Sequence, residues 1–128
     1  SGLVQALVAR LRSLPSAEQV IAPLTGGHHV DQLLTRSAAE EVWGARLRYY
    51  EDYPYAQKSG AVEEIIAQQA SHWSSEVIEL SQSELQQKIE AIAAFKSQLS
   101  TFWKSRAELE RQVTGFAQQR GGEKIWHN

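Results

Sequence analysis

The sequence contains no cysteine among its 128 residues. Without cysteine there are no disulfides and no thiolate metal ligands, which suits a reducing compartment, and we expect a cytoplasmic location. No apolar run approaches the ~20 residues of a membrane span, and no cleavable apolar leader is visible, so we expect no membrane partner. The formal net charge of −2 gives no electrostatic reason to expect a nucleic-acid partner.

Methionine is also missing, even at position 1, and this favours a chain that begins inside a longer gene product. The residues that are present are typical of a folded domain, since 42% are hydrophobic and 22% are charged. A length of 128 residues fits one domain or part of one. We therefore treat residues 1–128 as a single domain or as half of a larger one.

Apolar spacing in the first half predicts a helix, a strand, a second helix and a second strand. Leucines four apart near the amino terminus predict the first helix. The run Gln19–Leu24 (QVIAPL) predicts a buried strand, and the spacing over residues 30–42 predicts a helix that Gly44 ends. Arg46–Tyr50 (RLRYY) alternates and predicts the second strand, which Glu51–Ala56 (EDYPYA) follows as a loop.

The second half predicts one more strand and a long helical segment. Glu76–Leu80 (EVIEL) alternates and predicts the third strand. Ser81 and Glu84 form the capping-box pattern S-x-x-E, ahead of an apolar stripe from Leu85 to Phe116 that predicts long helices. Residues 121–128 then form a short tail that opens on two glycines.

Strands that alternate with helices predict an α/β fold with a parallel sheet, here of three short strands. So small a sheet favours the C-terminal part of a larger sandwich, ending in a long helical segment. We divide the chain at residue 56. Residues 1–56 form a strand–helix–strand unit, and residues 57–128 hold the third strand and the long helices.

The stretch TGGHHVDQLL begins at Thr25, where the first strand ends, and runs into the next helix. Ligands bind at the carboxyl ends of strands in open α/β sheets. Imidazole is the commonest protein metal ligand, and a carboxylate often orients it, so His29 and Asp31 can form such a pair. The alternative is equally open at this point: Asp31 caps the helix, while His28 and His29 are polar loop residues.

A second candidate loop follows the second strand, again at a carboxyl end. Carboxylates bind sugar hydroxyls and aromatic rings stack on pyranose faces, so this loop can line a sugar pocket. The alternative is a turn whose tyrosines fill space beside Pro54. The candidate substrate-binding residues are Glu51, Asp52, Tyr53 and Tyr55.

The order of these motifs resembles the second half of the LmbE-like, or PIG-L, deacetylase family. GGHHVDQLLTRSAAE followed by RYYEDYPYA carries the resemblance, and KIEAIAAFKSQL and the tail GGEKIWHN extend it over about residues 16–128. The resemblance implies a Rossmann-like three-layer sandwich. It also implies a zinc-dependent hydrolase that removes an acetyl group from N-acetylglucosamine-type sugars or related amides. In such an enzyme zinc polarises the amide carbonyl and activates a water, an aspartate acts as base, and a histidine stabilises the oxyanion.

The resemblance implies roles for three positions of TGGHHVDQLL. His29 matches the histidine that serves the oxyanion or the leaving group, and Asp31 matches the aspartate that orients a ligand. Gln32 stands where the family has a zinc-binding histidine, and a glutamine oxygen is a weak zinc donor. Either His28 or His29 substitutes through a shifted loop, or the metal is weak or different, or the site is inactive.

The family's H-P-D-D-like motif, which provides two zinc ligands and the base, has no counterpart in this sequence. We expect it upstream or on another chain, and we therefore expect these residues alone to be inactive. Two other interpretations stay open. One is a catalytically degenerate relative that binds a sugar or a protein partner, which Gln32 motivates. The other is a helical interaction module on residues 82–118 that forms a homo-oligomer through the apolar stripe.

Overall fold

A computed structural model describes residues 2–128, which form six α-helices and four β-strands. None of these helices is long and apolar enough to cross a membrane. The helices are α1 (Gly2–Arg12), α2 (Val30–Trp43), α3 (Ala61–Ala67), α4 (Gln82–Ala93), α5 (Lys96–Phe102) and α6 (Arg106–Arg120). The strands are β1 (Val20–Pro23), β2 (Leu47–Tyr50), β3 (Ser74–Ile78) and β4 (Glu123–His127).

The four strands form one mixed sheet in the order β1-β2-β4-β3. β1 and β2 are parallel, with Val20 opposite Leu47, and α2 connects them. β2 and β4 are antiparallel, with Tyr49 opposite Trp126. Because β1 and β2 run in the same direction, the loops that follow them leave the sheet at the same edge.

The α/β class is confirmed, but the prediction of a parallel sheet of three strands is wrong. The tail after the two glycines contains β4, which pairs antiparallel with β2. In β4 only Ile125 is buried, so the strand depends on its pairing with β2 more than on an apolar run of its own. The third strand is Ser74–Ile78, not Glu76–Leu80. All of its residues are exposed, so the alternation of polar and apolar residues did not mark its ends.

The predicted long helical segment consists of three helices, α4, α5 and α6. α4 begins at the predicted capping box, in which Ser81 and Glu84 each accept the other's backbone N–H. Phe95 and Trp103 both leave the helical conformation, with ψ of 64° and 141°, and interrupt the helix twice. Ser105 then caps α6 by accepting the Glu108 N–H at 3.1 Å. The apolar spacing continues across the first break and therefore did not indicate where α4 ends and α5 begins.

The described residues divide into two compact units. One comprises the residues up to Glu76 together with Ile125–Asn128, and the other comprises Val77–Lys124. In the first unit α1 packs on α2, and α2 packs on β1 and β2, while in the second α4 packs on α6. Burial of each aliphatic core side chain contributes about 1.5–3 kcal/mol. The most deeply buried ones are Val8, Leu24, Leu47 and Val62 in the first unit and Leu109 and Val113 in the second.

Candidate functional site

The chain turns sharply after β1, at the motif TGGHHVDQLL. Leu24 still belongs to the sheet, because its N–H donates to the Tyr50 carbonyl at 2.9 Å. Thr25 and His28 then close a turn in which the His28 N–H donates to the Thr25 carbonyl at 3.2 Å. Both residues have a positive φ, 72° and 54°, which non-glycine residues rarely adopt. Each costs of order 1–3 kcal/mol, so contacts from elsewhere must hold this turn.

Asp52, which follows β2, makes two of those contacts. Its Oδ1 accepts the backbone N–H of Thr25 at 2.8 Å and that of Gly26 at 3.0 Å. Asp52 is 1% exposed, and its Oδ2 is buried without a hydrogen-bond partner among residues 2–128. The side chain that was predicted to bind a sugar therefore binds the backbone just before the two histidines.

Tyr55 packs against the same turn. A Cβ placed on Gly27 would lie 2.3 Å from the Tyr55 ring, a distance that real Cβ contacts do not reach. Position 27 therefore admits only glycine while Tyr55 stays where it is. The Tyr55 ring also lies near the imidazole of His29, with 6.1 Å between the ring centroids. The loops after β1 and β2 are thus joined at several points.

His29 is the residue that caps α2. Its Nδ1 accepts the Asp31 N–H at 3.3 Å and lies 4.0 Å from the Asp31 carboxylate. An Nδ1 that accepts a hydrogen bond leaves the proton of the neutral ring on Nε2. The His29 side chain is 46% exposed, so the ring stays accessible to a ligand. The alternative in which Asp31 itself is the cap residue is wrong, although the Asp31 N–H takes part in the cap.

The predicted metal ligands lie on either side of His29. His28 is exposed on the turn, and Gln32 lies in the first turn of α2. The Oε1 of Gln32 is buried, and no described residue hydrogen-bonds to it. Within residues 2–128, no three histidine, aspartate or glutamate side chains are close enough together to hold a metal ion. These residues can supply part of a zinc site, which needs three or four protein ligands, but not the whole of one.

Glu51, the other carboxylate of the loop after β2, is buried like Asp52. Glu51 is 3% exposed, and its Oε2 accepts the indole N–H of Trp126 at 3.0 Å. Tyr53 and Tyr55 are half-buried. The arrangement places the tyrosines nearer to solvent than the carboxylates. Sugar binding by the four residues of this loop stays a prediction.

Arg36 is a residue of this site that the sequence analysis missed. Its guanidinium donates to the Leu24 carbonyl at 2.8 Å and to Glu40 at 2.8 Å, and it lies 4.8 Å from the centroid of the Tyr49 ring. Tyr49 donates its hydroxyl to Glu40 at 3.0 Å and stacks on Trp73. Burial, with Glu40 beside it, raises the pKa of Tyr49. The spacing of Arg36 and Glu40 on a predicted helix indicates their ion pair, but not the contact with Leu24.

The chain is similar in structure to a solved deacetylase. The similarity is to the crystal structure of the zinc-inhibited form of teicoplanin deacetylase Orf2, with a TM-score of 0.80 and 26% sequence identity. It covers 98% of this chain and 51% of that one, so the chain spans about half the length of that protein. No protein-family model matches the chain, and no curated protein does. The fold is therefore deacetylase-like, as the resemblance in sequence implies.

Proposed function

We propose that this chain is part of a zinc-dependent deacetylase that hydrolyses the amide of an N-acetylated sugar of the N-acetylglucosamine type. The observation that carries the proposal is the structural similarity to teicoplanin deacetylase, with a TM-score of 0.80 over 98% of the chain. The position of His29 supports it, because α/β enzymes bind their ligands at the carboxyl ends of parallel strands. The base and the remaining metal ligands lie, in this proposal, on residues outside these 128.

His29 would act on the oxygen of the amide carbonyl. When water adds to the carbonyl carbon, the oxygen becomes an oxyanion, and the intermediate then releases acetate and the sugar amine. An Nε2 that carries a proton can donate a hydrogen bond to that oxyanion. The Asp31 N–H keeps Nδ1 an acceptor and so keeps the proton on Nε2. In this proposal the backbone of Asp31 orients the ring.

A zinc ion, when bound, supplies the Lewis acid that activates the water. Gln32, through its Oε1, is the ligand that we assign to it from this chain, and His28 is the substitute. The buried Oε1 without a hydrogen-bond partner among the described residues supports Gln32, since an amide oxygen seldom stays unused when it is buried.

A catalytically degenerate relative that binds an N-acetyl sugar or a protein partner is the second candidate. Gln32 favours it, because a neutral amide oxygen holds zinc more weakly than imidazole does. The helical interaction module has less in its favour, since Ile89, Leu109, Val113 and Phe116 of its stripe are buried within their own unit.

The experiment is an acetate-release assay on N-acetylglucosamine-type amides with added Zn²⁺, on the full polypeptide that contains this chain. We expect His29→Ala to lower kcat by about 10²–10³-fold, as loss of an oxyanion donor does. His72→Ala is the matched control, since His72 is exposed and lies outside both loops, and it should leave kcat unchanged.

Gln32→His separates the two candidates. Release by the wild type that depends on His29 supports the deacetylase. No release by the wild type, with a large gain in Gln32→His, supports the degenerate relative. If no variant releases acetate and none binds the sugar in calorimetry, the deacetylase and the sugar-binding relative are both wrong.

A further inference from the structure

Asp52 is a buried carboxylate to which the proposed reaction assigns no step. From its contacts we propose that Asp52 is a positioning residue. It accepts the backbone N–H groups of Thr25 and Gly26, and so holds the strained turn that places His29 at the amino terminus of α2. Its consequence for catalysis rests on the function proposed above, but the positioning itself does not.

The contact between Asp52 and the turn links two loops that are far apart in the chain. Asp52 and Thr25 are 27 positions apart. They meet because β1 and β2 are parallel neighbours whose loops leave the sheet at one edge. Two successive N–H groups converge on a single oxygen, Oδ1, at 2.8 and 3.0 Å. Successive backbone N–H groups that converge in this way form an anion-binding concavity, and here the anion is a side chain of the same protein.

The turn from Thr25 to His28 connects the hydrogen bonds of Asp52 to the position of His29. Thr25, whose N–H is bound by Asp52, has a φ of 72° and accepts the N–H of His28 through its own carbonyl. His28 in turn has a φ of 54° and leads directly into His29. Two residues in the left-handed region relax unless neighbouring contacts hold them. Without Asp52 the turn would lose two of its hydrogen bonds, and the ring of His29 would lose its fixed place in the cap.

The chemistry of Asp52 favours this role over contact with a substrate. The residue is 1% exposed, so a ligand would have to displace the turn to reach it. Burial of a carboxylate is costly, and its Oδ2 has no compensating hydrogen bond from any residue in 2–128. The two hydrogen bonds to Oδ1 offset part of this cost of burial. An asparagine at position 52 could make the same two bonds without a charge, which allows geometry and charge to be separated.

The test is nuclear magnetic resonance on the 128-residue chain, labelled with ¹⁵N. Asp52→Ala should speed hydrogen exchange at the Thr25 and Gly26 amides at least tenfold. It should also move the imidazole ¹⁵N signals of His29 from those of one tautomer towards an average of two. Asp52→Asn should preserve both readouts. In the acetate-release assay Asp52→Ala should lower kcat with little change in KM.

Val8→Ala is the matched control. Val8 is 1% exposed in α1, so its truncation loosens the same unit but does not touch the turn. It should leave the His29 signals unchanged. If Asp52→Ala does not fold, Asp52→Ser takes its place, because the shorter hydroxyl cannot reach both amides.

Two results would overturn the positioning role. One is unchanged exchange and unchanged His29 signals in Asp52→Ala or Asp52→Ser. The other is an Asp52→Asn variant as disturbed as Asp52→Ala, which would show that the charge holds the turn and not the two accepted bonds. Expected resonance changes without any acetate release would leave the positioning role standing and refute the deacetylase.

Discussion

Tyr55 lies against Gly27 so closely that a methyl group at position 27 would fall 2.3 Å from its ring. The contact joins the loop after β2 to the loop after β1, just before the two histidines. Asp52 holds the same turn through two backbone N–H groups. The conformation of TGGHHVDQLL is therefore imposed largely by residues from another part of the chain.

Gly27→Ala should destabilise the protein because the new methyl group must displace the Tyr55 ring. We expect a loss of about 1–3 kcal/mol in the free energy of unfolding, the usual cost of overpacking, measured by urea denaturation. Gly115→Ala is the control. Gly115 lies within α6 with nothing within 4 Å of its added Cβ, so alanine there should stabilise by about 0.5–1 kcal/mol. A neutral Gly27→Ala would contradict the tight contact.

Arg36→Lys should also lower stability, although the charge is kept. A lysine cannot donate to the Leu24 carbonyl and to Glu40 in the planar geometry that the guanidinium uses. Since hydrogen bonds to charged groups contribute about 1.5–3 kcal/mol, we expect a loss near the lower end of that range. Arg12→Lys, at a side chain that is 61% exposed, should change the free energy of unfolding very little. Equal effects of the two substitutions would refute the role of Arg36.

The stability of the protein should fall at alkaline pH because of Tyr49. Burial, and then Glu40, raise the pKa of Tyr49 in the folded state. Above the unfolded pKa of about 10, the unfolded chain loses the phenolic proton while the folded chain keeps it, so unfolding becomes easier as the pH rises. Below that pH the contribution is fully present.

Tyr49→Phe should reduce this alkaline slope, which urea midpoints between about pH 8 and 11.5 would show. Burial, and then Asp52, raise the pKa of Tyr50 as well, so a part of the slope should remain in Tyr49→Phe. The double variant Tyr49→Phe with Tyr50→Phe should remove that remainder. A slope that is identical in the wild type and in Tyr49→Phe would contradict the prediction.

The chain of 128 residues alone should not retain stoichiometric zinc after dialysis. Its described residues bring no three candidate ligands together, and Gln32 offers only an amide oxygen. Elemental analysis measures the zinc directly. Gln32→His should raise the zinc affinity. Gln69→His is the control, because Gln69 follows the end of α3 and lies outside the two loops. One tightly bound zinc per wild-type chain would show that the ligand assignment is wrong.

The end of α2 and the start of α4 were predictable from the sequence. Gly44 is the C-cap of α2, and its N–H donates to the Glu40 carbonyl. Ser81 and Glu84 form the expected capping box at the start of α4. Both signals are local, because the groups that bond lie within one turn of helix. The break before α6 had a local signal too, since Ser105 and Glu108 repeat the S-x-x-E pattern. The predicted helical segment nevertheless ran across that break without marking it.

The sequence predicted which loops form the candidate site, but not the side-chain contacts within it. The carboxyl ends of two strands identified the loops that hold His29 and Asp52, and the structure brings those loops together. Nothing in the sequence showed that Asp52 binds the Thr25 N–H, that Glu51 binds Trp126, or that His29 is the cap of α2. Side-chain partners across loops depend on the pairing of the strands, which periodicity does not specify.

The α/β class, the end of α2 at Gly44, the start of α4 at its capping box and the two loops that carry the candidate chemistry follow from the sequence. These depend on hydrophobic period, on glycine and on capping residues, whose effects act within a few positions of the chain. The antiparallel pairing of β4 with β2, and the contact of Asp52 with the Thr25 backbone, became visible only in the folded chain. The physical reason is that these contacts join residues many positions apart, and their free energy is gained only once the sheet has formed.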